Sequence, residues 1–462
     1  MENKYIFEKS LLSAWPNYLF ENKIEPDIEY DFFQMKMKIA HPEYPDVIYP
    51  PLIFDREFVC NLQNVAVQLL SLITSIPDRI FSGNHEAWMS FLKFDKNEIE
   101  YLLPMCTPRF LSMATQFSRP DFILTKYGFK VVEINVAPPI GGLGIYDRMA
   151  QEIYKMPFYN YLIKHREFCT APNMTTVWLK AIKAISRVSN AYENPIFFEG
   201  MANPNENYAA DFGRPDFVRM IESCGYKVVT GPMSELTVSD AGVYFEDMKV
   251  NTVFTCSTYY EMTSHGVADS LITSLTKADE EFLIDFVCPP TNTLFDHKLN
   301  LEILTSPEFE SYFSAEELSI VKRYVLSTRR LNTDNLSKAL SEKDSWILKP
   351  ASEFGGNGVI IGEAVSGVTW RDKLNAALSS ESTYVLQEKA KDMWSYETTH
   401  HGITRNFSVC LGPTIFGHEY GGLYLRQSEF NGVARVINAA QGAAVGTAFV
   451  AEKSTDAPIS GI

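Results

Sequence analysis

Lys349 closes an apolar strand, 346–348, directly before a loop that carries Gly355, Gly356 and Gly358. Glycines let backbone N–H groups converge on anionic oxygens with no side chain in the way, and a lysine adds the full positive charge that N–H dipoles lack. Together they can wrap a phosphate. A second apolar strand, VIIG, follows the loop, so the stretch reads as a strand-loop-strand flap of the kind that closes over a ligand and expels water. No Gly-Lys-Ser/Thr follows, which excludes a Walker loop, and the spacing from Gly356 to Gly362 lacks the following helix that a dinucleotide site needs. Taken alone, the same residues also fit a plain turn with a surface lysine.

Glu133 and Asn135 are the second constellation. In strand 129–136 strict alternation puts Val132, Ile134 and Val136 on one face and Val131, Glu133 and Asn135 on the other, just before Pro138, Pro139, Gly141 and Gly142. Both polar residues offer oxygen, the donor that Mg2+ prefers, although a solvated strand face would look the same. On strand 421–428, Arg426 shares a face with Tyr424 and can hold a carboxylate or phosphate bidentately. Strand 384–389 ends in Gln387, Glu388 and Lys389, whose backbone can meet the edge of a planar base at a hinge between two lobes.

Other chemistries fall away. None of the eight histidines stands in HExxH or another metal-like spacing, GxSxG is absent, and the seven cysteines contain no CxxC pair. A reducing, cytoplasmic setting is expected. With 41 basic and 57 acidic residues, the net charge of −16 repels nucleic acid. No apolar run approaches the ~20 residues of a membrane span, and the first residues form no signal-peptide core.

Positioning these groups requires several packed units, and 462 residues with 46% apolar and 21% charged content allow two to four. An apolar stretch over 58–73 predicts a buried helix. Residues 195–300 alternate strand and helix (IFFEG, PDFVRMIESCG, YKVV, a hairpin, NTVFTC), which predicts a parallel α/β unit. Ser314 and Glu317 form a capping-box pattern opening a helix that runs to about Arg330. A last unit begins near Ser345 and contains the flap, a helix over 370–378 and further strands. The expected divisions are 1–194, helical with the acidic strand; 195–300, for substrate; and 301–462, lid and C-terminal strands.

In this order, VEINVAPPIGGLG, ILKPASEFGGNGVIIG, YVLQEKA, and GGLYLRQS with QGAAVGTAFV resemble the eukaryotic-type glutathione synthetases, and the glutathionylspermidine synthetases beside them. The resemblance covers roughly 119–142 and 298 to the end. It implies an α/β (α+β) ATP-grasp fold, circularly permuted, with an inserted Rossmann-like substrate domain and a flexible lid. It implies Mg2+ on Glu133, Asn135 and Glu353. ATP would lie on Lys298, Lys349, Gly355, Gly356, Asn357, Gly358, Gln387, Glu388 and Lys389, and substrate on Arg119 and Arg426. Lys349 and Arg426 would be catalytic.

The implied reaction is ADP-forming ligation of a carboxylate to an amine through an acyl phosphate, with an amino acid, small peptide or polyamine as partner and a homodimer as the assembly. The chain departs from the family pattern at two points: the strand VFTCSTYY has no arginine near Cys256, and Ile140 replaces a substrate-contacting serine. Both point away from glutathione as the product. Rival expectations are a non-catalytic ATP-binding protein of the same fold and a dinucleotide-dependent oxidoreductase on the 195–300 unit. The latter lacks GxGxxG.

Overall fold

The structure, a computed structural model, describes residues 14–40, 45–136, 140–165, 169–202, 214–255, 257 and 259–451. Helices α1 (Ala14–Asn22) and α2 (Pro26–Ala40) lead to the long α3 (Arg56–Phe81). Asp55 caps α3 by accepting the N–H groups of Glu57 and Phe58, so the helix starts before the apolar run that announces it. By length and composition α3 would suffice to cross a membrane, but residues such as Leu62, Leu69, Ile73 and Ile76 are buried in the main core.

Strands β1 (Arg119–Thr125) and β2 (Gly128–Asn135) form an antiparallel hairpin. Next come β3 (Ile196–Met201), β4 (Lys227–Pro232), β5 (Thr252–Thr255) and β6 (Asp285–Val287), a parallel sheet in the order β6-β5-β3-β4. The strand-helix alternation predicted such a sheet, because parallel neighbours need a crossover between them.

Helix α4 (Ala315–Tyr324) opens on the expected capping box of Ser314 and Glu317. It ends at Tyr324, short of Arg330, because 328–330 is a strand, β7 (Thr328–Arg330), paired with β10 below. Strands β8 (Trp346–Pro350), β9 (Ile360–Ile361) and β10 (Tyr384–Glu388) complete an antiparallel sheet in the order β7-β10-β8-β9. Helix α5 (Gly367–Leu378) covers it, burying Trp370 and Leu374 against Trp346, Leu348 and Leu386.

Strands β11 (Ser395–His400), β12 (Ile403–Phe416), β13 (Glu419–Glu429) and β14 (Ala444–Thr447) join the hairpin in one six-stranded sheet, β14-β13-β12-β1-β2, with β11 also on β12. One face of it carries Phe122, Leu124, Val409, Leu411, Leu423 and Leu425 into the core beneath α3. Each such side chain contributes about 1.5–3 kcal/mol by leaving water. That face anchors the sheet, and the opposite face is free to carry polar groups. The fold is therefore mixed α/β, with a four-stranded antiparallel sheet set over the polar face of a six-stranded one.

Candidate active site

The hairpin does not alternate as its sequence reads. Asp121 pairs with Glu133 and Arg119 with Asn135, but Phe122 pairs with Val131, so Val132 is an extra residue with no partner across the ladder. This is a β-bulge. Val131 consequently joins Ile134 and Val136 in the core, while Val132 packs on the polar side near Ile123 and Cys410. The expected grouping of Val132 with Ile134 and Val136 is corrected on that ground. Glu133 and Asn135 do share a face, and Asp121 and Arg119 share it with them.

Lys349 arrives from β8 of the other sheet. Its Nζ donates to the Val132 carbonyl at 3.1 Å and to Gln387 Oε1 at 2.7 Å, and Gln387 Nε2 donates in turn to Thr328 Oγ1 at 3.1 Å. The flap lysine and the acidic strand thus meet across one cleft. Burial lowers the Lys349 ammonium to about 8, against the attraction of Glu133 and with the help of Lys298. Gln387, expected among the nucleotide contacts, is spent on fixing Lys349.

Lys298 reaches the flap itself, donating from Nζ to the Glu353 carbonyl at 2.5 Å, while its own N–H donates to the Ala351 carbonyl at 2.9 Å. The Glu353 side chain and Asn357 are exposed on the flap. Lys389 pairs with Glu363, whose other oxygen accepts the Ala434 N–H at 2.8 Å. The N–H groups of Glu388 and Lys389 donate to the carbonyls of Ser327 and Ser345, so only other groups of this hinge can serve a base.

The glycines of the flap are required by conformation. Gly355, Gly356 and Gly358 all have positive φ, and a Cβ on Gly356 would stand 2.6 Å from Val436 Cγ1. The flap therefore rests against the 436–441 loop. Gly356→Ala should cost about 1–2 kcal/mol in backbone strain alone. The expected result is an unfolding free energy lower by about that amount, measured by denaturant titration; an unchanged value would mean that the flap moves off the 436–441 loop and relieves the strain.

The third group was only half visible. Arg119 and Arg426 both lie in this face, buried, and both donate to Asp121 Oδ1, at 3.0 Å and 2.5 Å. Burial alone would raise the Asp121 carboxyl, but the two guanidinium groups hold it well below the usual carboxylate range. Arg119 Nη1 also donates to the Gly141 carbonyl at 3.0 Å, and Arg426 Nη2 touches Cys410 Sγ at 3.3 Å. Arg426 Nε is buried without a hydrogen-bond partner among the described residues. Asp121 is not among the residues that the sequence singles out. The available signal was that two buried arginines need a countercharge and that residue i+2 on a strand faces the same way.

Asn135 Nδ2 donates to the Arg119 carbonyl at 3.0 Å, which leaves Oδ1 as the amide's outward acceptor. An amide oxygen and the Glu133 carboxylate beside it are a hard-cation donor set, and Mg2+ needs few protein ligands when phosphates complete its shell. Ile140 is buried in a hydrophobic cluster. Pro138, Pro139 and Cys256 lie outside the described residues.

The sequence matches no family model and no curated protein. Among solved structures, a glutathione synthetase-like effector of Globodera pallida in its apo form superposes with a TM-score of 0.53, over 92% of this chain and 98% of that one, at 13% identity. The two chains share a fold. A protein assigned as a gamma-glutamylcysteine synthetase from Methylobacillus flagellatus gives a TM-score of 0.40 at 11% identity, over 82% of this chain and 86% of that one. A D-cycloserine synthetase gives 0.26 at 11% identity, over 46% and 67%.

Proposed function

We propose that this protein is an ADP-forming, ATP-dependent ligase that joins a small carboxylic acid to an amine through an acyl phosphate. The observation that carries the reading is the hydrogen bond from Lys349 Nζ to the Val132 carbonyl, which puts a buried cation from a glycine-rich flap beside the Glu133 carboxylate. The fold shared with a synthetase-like protein supports it. In this reading the strand order is that of a circularly permuted ATP-grasp enzyme, with the 195–300 unit as its substrate domain, working in the cytoplasm and as a homodimer.

Glu133, Asn135 Oδ1 and Glu353 would hold Mg2+, which supplies charge neutralisation between phosphate oxygens when bound. Lys349 and the N–H groups of the flap oppose charge on the transferring phosphoryl group in a site from which the closed flap excludes water. Arg426 and Arg119, aligned by Asp121, receive the acid's carboxylate and hold it in line. A neutral amine then attacks the acyl phosphate and phosphate leaves. No protein nucleophile takes part. The acceptor is an amino acid, a small peptide or a polyamine.

The test is ADP release screened across amino acids, small peptides and polyamines, with products identified by mass. Removing one charge-stabilising group commonly costs ~100- to 1000-fold in rate. Glu353→Gln should therefore reduce ADP release by that order at saturating substrate. Near-normal release in this variant would overturn the metal assignment, and ATP binding with no substrate-dependent ADP would favour the non-catalytic alternative.

A further inference from the structure

The six-stranded sheet also builds a cleft on the face turned away from Arg426. Side chains alternate along its strands, so Tyr396, Phe407 and Gln427 point opposite to Cys410 and Arg426. With Trp394 they floor a cleft of about 950 Å3, roofed by α1, α2 and the 46–53 segment. That volume is at the upper end for small-molecule sites, about 300–1,000 Å3, and exceeds what a single amino acid fills.

The lining is aromatic within and charged at the mouth. Trp15, Tyr30 and Tyr49 face the floor, while Arg405, Arg435 and Glu429 bring both signs of charge to one opening. Among the described residues none of these three has an ion-pair partner. His400 stacks on Tyr30 with ring centroids 4.0 Å apart, and Asp27 Oδ1 stands 4.0 Å from its Nδ1. Guanidinium groups prefer a carboxylate and a carboxylate prefers an ammonium, so the mouth matches both ends of a zwitterion and the rings match an apolar body.

We propose that this cleft binds a short peptide with free amino and carboxyl termini, its carboxylate at Arg405 and Arg435 and its ammonium at Glu429. Val436 and Gln441 line the cleft and are also the residues against which Gly356 of the flap rests. The peptide is thus placed behind the flap, on the face of the sheet opposite Arg426. The inference does not depend on the ligase reading.

Calorimetric titration of the full chain with glycyl-phenylalanine tests it, beside the N-acetylated and C-amidated forms of the same peptide. One-to-one binding is expected, roughly 2- to 5-fold weaker for either blocked form and in either Arg405→Gln or Glu429→Gln. Both substitutions fall on exposed positions, so folding is preserved. Arg426→Lys, on the other face at the position proposed to receive the acid's carboxylate, should leave binding unchanged, which separates this site from any peptide held at the reaction centre. No binding at millimolar peptide, equal binding of the blocked forms, or loss in Arg426→Lys with retention in Arg405→Gln would each overturn the proposal.

Discussion

Asp121→Asn is expected to destabilise the protein by about 3–5 kcal/mol, the cost of leaving buried cations without their countercharge. The variant keeps the shape and loses the charge that Arg119 and Arg426 share. Denaturant titration of both forms measures the difference. The pH dependence gives a second reading. The Asp121 carboxyl is held below its unfolded value, so its contribution is complete above about pH 4 and is lost as pH falls through the lower folded value. The gap between wild type and variant should therefore be widest near neutrality and narrow in acid. A gap under about 1 kcal/mol at neutral pH would mean that the arginines find other partners.

If the protein is the ligase proposed above, Lys349→Met is expected to reduce kcat/KM for ATP by ~100- to 1000-fold while costing little stability. Its two acceptors, the Val132 carbonyl and Gln387 Oε1, would lose their donor at about 1–3 kcal/mol each, but the desolvation of a buried ammonium, several kcal/mol, would disappear with it. These nearly offset. Activity of the wild type should fall as pH rises through about 8, where the free enzyme's ammonium loses its proton, and the variant should show no such limb. Stability runs the other way. The folded lysine binds its proton less tightly than an unfolded one at 10.5, so the wild type gains stability between about 8 and 10.5, and the Met variant does not. An unchanged kcat/KM in the variant would remove Lys349 from the chemistry.

What could be read beforehand was local. The flap required only an apolar strand, three glycines and a second strand, and β8 and β9 flank it as expected. The capping box at Ser314 and Glu317 and the parallel sheet over 196–287 were legible for the same reason, since each is written in a few adjacent residues or a short period.

The remainder depends on partners far along the chain. Nothing near Tyr324 announces that 328–330 will pair with 384–388 and so end the helix early. Nothing in VVEIN marks Val132 as the extra residue, because the offset is set by its pairing with β1. Gln387 reads as one more polar residue at a strand end until Lys349, 38 positions away, is seen bonded to it. Asp121 is the same case, its role created by an arginine at 426.

In the proposed ligase, the irregularity at Val132 is a placeholder. Deleting that residue would tidy the hairpin and leave Glu133 and Asn135 facing as they do, yet it would remove the neutral oxygen on which the Lys349 ammonium waits. An anionic oxygen adds a full Coulomb attraction that the neutral carbonyl lacks, so an arriving anion wins the exchange and the carbonyl yields without a large rearrangement. The cation is kept aimed but not spent, and a more regular strand would be a poorer catalyst.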